Sequence, residues 1–269
     1  ERYEHKYEYC DLLIAGTGPS GLASAYAAAK NGAKVILAED KSRYGGSLLT
    51  SEVTIGNQSG QEWAEQIISE LKSMPNVIVK NRSQVFGYYD HNMLVMSERV
   101  SDHLPKTDKY TPKQRLWYIR AEEVVISSGS IERPLVFGNN DAPGVMLSSA
   151  AKEYLKIYGV LVGKKPIIFT NNDSGYETAI EFKKNGVDPI VLDTRKDPNS
   201  EIIKEAKELN INIKFSYVVV AAKGYKKVNS ADIAKISDDK KNISNIENIK
   251  CDCICCLLYT SPSPRDRVL

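Results

Sequence analysis

The segment that most constrains this chain is a glycine run set between an apolar stretch and an alanine-rich one. Residues 11–15 read DLLIA, a short, nearly continuous apolar run that suits a buried parallel strand. Gly16-Thr17-Gly18-Pro19-Ser20-Gly21 follows, and residues 22–30 are alanine-rich and helical by propensity. Asn31-Gly32 supplies a helix stop, because glycine accepts the left-handed conformation that ends a helix. Residues 34–38 (KVILA) form a second buried strand that ends at Glu39-Asp40. Together these pieces make one βαβ unit, which requires a parallel sheet with its helix packed on one face.

A GxGxxG run alone is a weak signal. Here a strand precedes it, a helix follows, and an acidic residue closes the next strand, which is the context of a dinucleotide-binding fingerprint. Gly16 permits the tight turn, Gly18 lets the backbone approach a pyrophosphate, and Gly21 lets the helix pack closely on the strand. With Pro19 and Ser20 in its first turn, the helix offers unpaired N–H groups and partial positive charge to phosphates. Glu39 is placed to accept hydrogen bonds from a ribose 2′-OH, and it would repel a 2′-phosphate, so NADP is disfavoured. The loop reads NAD and FAD alike, since both carry the same ADP half. Gly45-Gly46-Ser47 follows the second strand and is expected to bring backbone and hydroxyl donors to the same nucleotide. Val85 lies in a later strand, where adenine contact and core packing are equal readings.

Further along, residues 60–74 place Trp63, Ile67, Ile68 and Leu71 on one helical stripe. Strands are expected at 77–79, 84–89, 93–96, 115–120 and 124–127, with His91-Asn92 turning a hairpin and 104–113 a loop. Residues 147–158 read as a helix. A second βαβ pattern then begins: strand 167–170, helix 174–185, strand 189–192. Helix 201–209 and strand 211–220 follow, and the remainder to 255 reads as exposed hairpin strands. The architecture is α/β, with a first domain over 1–160, a second over 161–255 and a break near Gly159–Lys165. Where the second unit would need a glycine loop it has Thr170-Asn171-Asn172-Asp173-Ser174-Gly175. Side chains there obstruct close phosphate approach and Asp173 repels it, so this site is expected to have lost its ligand.

Lys and Arg total 36 against 34 Asp and Glu, a net charge of +2, which gives no electrostatic reason to expect nucleic acid or an anionic membrane as partner. No apolar run approaches the ~20 residues that span a bilayer. Five cysteines, four of them crowded between 251 and 256, do not make a secreted disulfide framework, so a cytoplasmic setting is expected. Cys251, Cys253 and Cys255 would share one face of a strand as small buried hydrophobes, and no second cluster completes a metal site. His5, His91 and His103 are scattered surface or loop residues. Residue 1 is Glu, and composition changes abruptly at Cys256, from where the chain reads CLLYTSPSPRDRVL. That stretch resembles translated sequencing-adapter DNA. Residues 256–269 are therefore expected to be an artefact tail without native contacts, and the rest a piece truncated from a longer protein.

Residues 131–146 read IERPLVFGNNDAPGVM, after VVISSG at 124–129, where flavin and dinucleotide reductases carry an Ala-Thr-Gly turn. YLKIYG at 154–159 and FTNNDS at 169–174 follow. With the glycine motif, these segments resemble the alpha subunit of heterotetrameric sarcosine oxidase over residues 7–255. The resemblance implies two Rossmann-like dinucleotide-binding domains of the pyridine nucleotide-disulfide reductase kind, the second vestigial. It implies membership of an oxidoreductase complex that demethylates sarcosine to glycine, makes hydrogen peroxide and passes a one-carbon unit to tetrahydrofolate. Sarcosine would be oxidised at FAD on the beta subunit, with FMN at the alpha–beta interface and gamma and delta subunits completing the tetramer. NAD would sit in the first domain, on Ser20, Glu39, Asp40, Lys41, Ser47 and Val85. No catalytic residue falls on this chain, which alone would be inactive, and further domains would lie on either side of it. A free-standing flavin-dependent NADH oxidoreductase would need an intact second glycine loop. A non-catalytic scaffold would not need Gly16, Gly18, Gly21 and Glu39. The substrate could equally be that of a dimethylglycine, proline or opine relative, since it binds elsewhere.

Overall fold

The computed structural model describes residues 2–239 and 241–257. The chain divides into two compact units, Glu1–Gly129 and Ser130–Leu269. The break falls before the one expected near Gly159–Lys165. The helix over Ser148–Tyr158 packs with the second unit, where Ala151 and Leu155 join an apolar cluster with Tyr176 and Phe182.

In the first unit the elements are β1 (Tyr3–Ala15), α1 (Pro19–Lys30), β2 (Val35–Ala38), β3 (Thr54–Ile55), β4 (Gln58–Ser59), α2 (Gly60–Ser73), β5 (Val77–Lys80), β6 (Ser83–Tyr89), β7 (Met93–Arg99) and β8 (Gln114–Ile126). Six strands form one sheet in the order β5-β2-β1-β8-β7-β6. The first four are parallel, and β7 and β6 are added antiparallel. β2 is buried at all four positions, as its unbroken VILA run requires. The helices cover one face through Leu22, Ala25, Ile67, Ile68 and Leu71, packed with Ile14, Val35 and Leu37. Each fully buried Leu or Ile there contributes roughly 1.5–3 kcal/mol. Two expectations are corrected. β1 starts at Tyr3, well before the apolar run, because its exposed half is held by pairing to β8. The strands expected at 115–120 and 124–127 are one, because the ladder to β1 continues past the exposed Glu122 and Glu123.

The second unit contains β9 (Val145–Leu147), α3 (Ser148–Tyr158), β10 (Pro166–Thr170), α4 (Ser174–Lys184), β11 (Ile190–Asp193), α5 (Glu201–Glu208), β12 (Asn212–Phe215), β13 (Tyr217–Lys223), β14 (Ser230–Lys235), β15 (Glu247–Lys250) and β16 (Cys253–Cys256). A parallel sheet runs β12-β11-β10-β16-β9, beside an antiparallel sheet β13-β14-β15. The strand expected over 211–220 is two: Ser216 takes a left-handed φ of 57°, and the halves enter different sheets.

The largest correction concerns the cysteines. β14 and β15 form the expected hairpin, but β16 is a fully buried inner strand of the parallel sheet. Cys256 pairs with Phe169 and Leu147, and buried Leu257 donates its N–H to the Phe169 carbonyl at 3.0 Å. The expected artefact tail therefore begins inside the core, and Cys256 and Leu257 make native contacts; residues 258–269 lie outside the described residues. The three thiols do not share a face either. Cys253 and Cys255 pack with Tyr176 and Phe182, their sulfurs 3.6 Å apart, whereas Cys251 packs with Ile254 and Cys256 on the other side. All five cysteines are buried and free, and no group of metal-ligating side chains occurs among the described residues. No helix among them is long and apolar enough to cross a membrane.

Candidate functional site

The glycine loop joins the C-terminal end of β1 to α1. Each glycine stands there for a different reason. Gly16 has φ +108°, and a Cβ on it would lie 2.3 Å from the Ser127 carbonyl oxygen. A Cβ on Gly21 would lie 2.0 Å from the Gly16 carbonyl oxygen and 2.7 Å from Ser127 Oγ. These two glycines are demanded by the protein's own packing. Gly18 is not. Its φ of −64° and ψ of 179° suit any residue, and a Cβ there would meet nothing within 4 Å. Gly18 keeps open a space that a side chain would fill.

The start of α1 is equally open. Gly18 is its N-cap and supplies no side-chain hydrogen bond, and the first turn carries no acid. α2 shows the contrast, with Ser59 and Glu62 forming a reciprocal capping box. The N–H groups of the first turn of α1, beside exposed Pro19 and Ser20, have no such internal acceptor. The second glycine turn lies against this loop: a Cβ on Gly46, itself at φ +53°, would come 2.9 Å from Gly18 Cα. Ser47 is exposed beside it.

Glu39 follows directly on β2 and is only 5% exposed. Its Oε2 accepts the Thr17 N–H at 3.1 Å and a short bond from the Thr17 hydroxyl, and its Oε1 accepts the Lys41 N–H at 3.1 Å. Burial pushes its carboxyl upward, as does the neighbouring Asp40, against the pull of the Thr17 and Lys41 donors. The structure thus brings Gly16, Gly18, Gly21, Glu39 and Gly46 together, with the Lys41 backbone on Glu39 and the exposed Asp40 next in sequence. Val85 lies near the start of β6, which is tied to β2 by the Ser83 N–H on the Glu39 carbonyl at 2.7 Å. Its side chain packs against the cluster of Leu13, Ile36, Met96 and Trp117. Two residues absent from the expected set belong here. Thr17 is fully buried beneath the loop, and Ser127 donates its N–H to the Ala15 carbonyl at 2.9 Å and its hydroxyl to the Gly16 carbonyl at 3.2 Å. The alternation of glycines hides Thr17; only the place of Ser127 after an apolar strand could have marked it.

The corresponding turn of the second unit is filled from within. Gly175 persists for packing, since a Cβ there would lie 2.7 Å from Thr170 Cβ. The Asn172 side-chain oxygen takes the Ser174 N–H at 3.0 Å and the Ser174 hydroxyl at 2.7 Å. Asp193, at the end of β11 as Glu39 is of β2, is fully buried and held by Arg195 Nη2 at 2.8 Å and the Tyr176 hydroxyl at 2.7 Å. Arg195 Nη1 reaches back 2.8 Å to Asp173 at the head of α4. Although burial opposes the charge on Arg195, Asp193 and Asp173 outweigh it and raise its pKa. One guanidinium therefore bridges the strand end and the helix start, the two places a dinucleotide would touch.

The family model described as pyridine nucleotide-disulphide oxidoreductase matches residues 10–266. The sarcosine oxidase alpha subunit of Rhizobium meliloti (strain 1021) is 45% identical over 72% of this chain. That of Corynebacterium sp. (strain P-1) is 36% identical over 72%. This chain spans only 20% of the length of either relative. The resemblance to the sarcosine oxidase alpha subunit is thereby borne out. An opine oxidase subunit of Agrobacterium tumefaciens (strain Ach5) is 26% identical over 71% of this chain and 38% of its own length. Among solved structures, thioredoxin reductase from T. acidophilum aligns with a TM-score of 0.69 at 16% identity, covering 93% of this chain and 77% of that one. L-proline dehydrogenase from P. horikoshii aligns at 0.62 and 19%, covering 96% and 43%. Those likenesses fix the α/β fold with its parallel, Rossmann-like core.

Proposed function

We propose, from the premise that this chain belongs to the pyridine nucleotide-disulphide oxidoreductase family, that its first unit is the NAD-holding part of a sarcosine oxidase alpha subunit. The observation that carries the reading is the glycine loop, where Gly18 leaves open the space a side chain would fill while Gly16 and Gly21 are bound by internal packing. The pyrophosphate would lie over Gly18 against the uncapped start of α1, where N–H groups and the helix dipole favour an anion. Glu39 would accept a ribose hydroxyl, and Pro19, Ser20, Gly46 and Ser47 would line the phosphates. Asp40, Lys41 and Val85 would border the adenosine. Bound NAD could supply hydride chemistry, but the residues assigned here all lie along its ADP half, and the reading is of a tightly held ligand that does not turn over.

The complex would oxidise the N-methyl group of sarcosine, yielding glycine, hydrogen peroxide and a one-carbon unit for tetrahydrofolate, with FAD and FMN chemistry on or beside the beta subunit. Support for sarcosine over an opine is the higher identity, 45% against 26%. The second unit would hold no nucleotide, since Arg195 and Asn172 already satisfy its turn. Calorimetric titration with NAD of the chain freed of its bound nucleotide tests the reading: one site is expected, abolished by Gly18→Val. A second site, weakened by changes at Asn171 or Asn172, would overturn it. Sarcosine-dependent peroxide formation by the complex purified with its partner subunits tests the substrate, and activity on an opine alone would refute it.

A further inference from the structure

Thr17 occupies the first variable position of the glycine loop, yet its side chain is fully buried and faces the protein. Its hydroxyl sits at a junction of three segments. It donates to Glu39 Oε2 at the end of β2 and accepts the Gly45 N–H at 3.1 Å from the second glycine turn. Its own backbone N–H meets the same carboxylate oxygen at 3.1 Å. A hydroxyl can donate and accept at once, which valine, of the same shape, cannot do and serine can. An ionised carboxylate has about four acceptor sites. Thr17 takes both sites of Oε2, Oε1 receives the Lys41 N–H, and the Asp40 carboxyl adjoins the same carboxyl group. The arrangement fixes the carboxylate rotation and leaves Oε1 a further acceptor site, beside the Asp40 carboxyl, for an outside donor.

We propose that Thr17 is a positioning residue which aims Oε1 of Glu39 at a ribose hydroxyl, and so sets the preference of the first glycine loop for a nucleotide with an intact ribose diol. The inference rests on the reading of Glu39 as the ribose acceptor. Without the Thr17 hydroxyl, Oε2 loses a donor and the Gly45 N–H loses its acceptor. The carboxylate then keeps one backbone N–H on each oxygen, is held less firmly, and has an open site on Oε2 as well as on Oε1, so Oε1 is no longer singled out for the ribose. The loop glycines and the helix start are untouched, so pyrophosphate binding is retained and only the ribose contribution is weakened.

The test uses ADP and 2′,3′-dideoxy-ADP as probes, titrated calorimetrically into the chain and its Thr17→Ser and Thr17→Val variants after removal of bound nucleotide, with thermal melting as a control on folding. The native chain should prefer ADP by about tenfold or more, the value of one hydrogen bond to a charged acceptor. Thr17→Ser should keep that ratio. Thr17→Val should bind dideoxy-ADP as the native chain does but show a clearly smaller preference for ADP. A Thr17→Val variant that retains the native ratio overturns the inference alone. Equal binding of the two probes by the native chain overturns the reading of Glu39 and the inference with it. Should valine prevent folding, Thr17→Ala poses the same question without an added methyl branch.

Discussion

Gly18 and Gly21 stand three residues apart in one loop, and alanine at each should have opposite consequences. At Gly18 the new Cβ enters open space with backbone angles any residue adopts. Replacing a glycine N-cap by alanine costs up to about 1 kcal/mol, and restricting the unfolded chain returns about 0.4–1 kcal/mol. Gly18→Ala should therefore melt within a few degrees of the native chain. At Gly21 the Cβ would lie 2.0 Å from the Gly16 carbonyl oxygen, a backbone atom that cannot swing away. α1 would have to lift from β1, an overpacking cost of about 1–3 kcal/mol or more. At ~2–4 °C per kcal/mol, that is a fall of several degrees. Binding should reverse the order of severity relative to stability. Gly18→Ala, well folded, should lose at least about tenfold in ADP affinity, since a methyl group at that point displaces the phosphates from the helix start. Thermal melting followed by circular dichroism and calorimetric titration with ADP, both on chains freed of bound nucleotide, give both quantities. Native ADP affinity in Gly18→Ala would refute the placement of the pyrophosphate. A melting drop at Gly18 equal to that at Gly21 would refute the claim that only one of them serves the fold.

Three further outcomes are expected. Arg195→Met leaves Asp193 buried without its charge partner and should cost about 3–5 kcal/mol in chemical denaturation; adding Asp193→Asn should recover part of this through the Tyr176 hydroxyl, and a loss under about 1 kcal/mol would contradict the bridge. Ending the chain at Cys255 removes buried Cys256 and Leu257 and should lower stability by about 2–4 kcal/mol, where an unchanged melting temperature would restore the artefact reading for those two residues. Burial opposes the charge of Glu98, but Lys80 at 3.0 Å, Trp117 Nε1 at 2.7 Å and Arg115 outweigh it and hold its carboxyl below the ordinary 4.5. A depressed folded pKa stabilises above the ordinary value and is lost as pH falls through the lower one, so Glu98→Gln should flatten the acid limb of the stability–pH curve, and an unaltered slope would count against it.

The sequence is informative where chemistry is local and periodic. Strand, glycine loop, helix and acid follow one another at fixed spacing, so the first βαβ unit stands where its residues suggest. The NNDxPG run is distinctive, yet its structural work could not be anticipated. Asn139 takes a left-handed φ of 57° and donates its side-chain N–H to the Ala222 carbonyl at 3.1 Å, and in the preceding IERP stretch Glu132 accepts the Ser149 N–H at 2.8 Å at the start of α3. Those partners lie far along the chain. β16 escaped because four buried residues at the end of a polar hairpin have no period to distinguish inner strand from edge. The join of 115–120 to 124–127 escaped because a strand can cross exposed glutamates when its neighbour supplies the ladder. Arg195 escaped because a βαβ pattern shows where a ligand would go, not which side chain has already taken its place.

The most direct measurement is the nucleotide the protein carries. The chain, purified under native conditions, is denatured and the released small molecules are separated by chromatography. The account predicts NAD at about one per chain, present in Thr17→Ser and absent from Gly18→Val. FAD without NAD would contradict the assignment at the first glycine loop. So would a chain that releases no nucleotide and shows no rise in melting temperature when ADP is added.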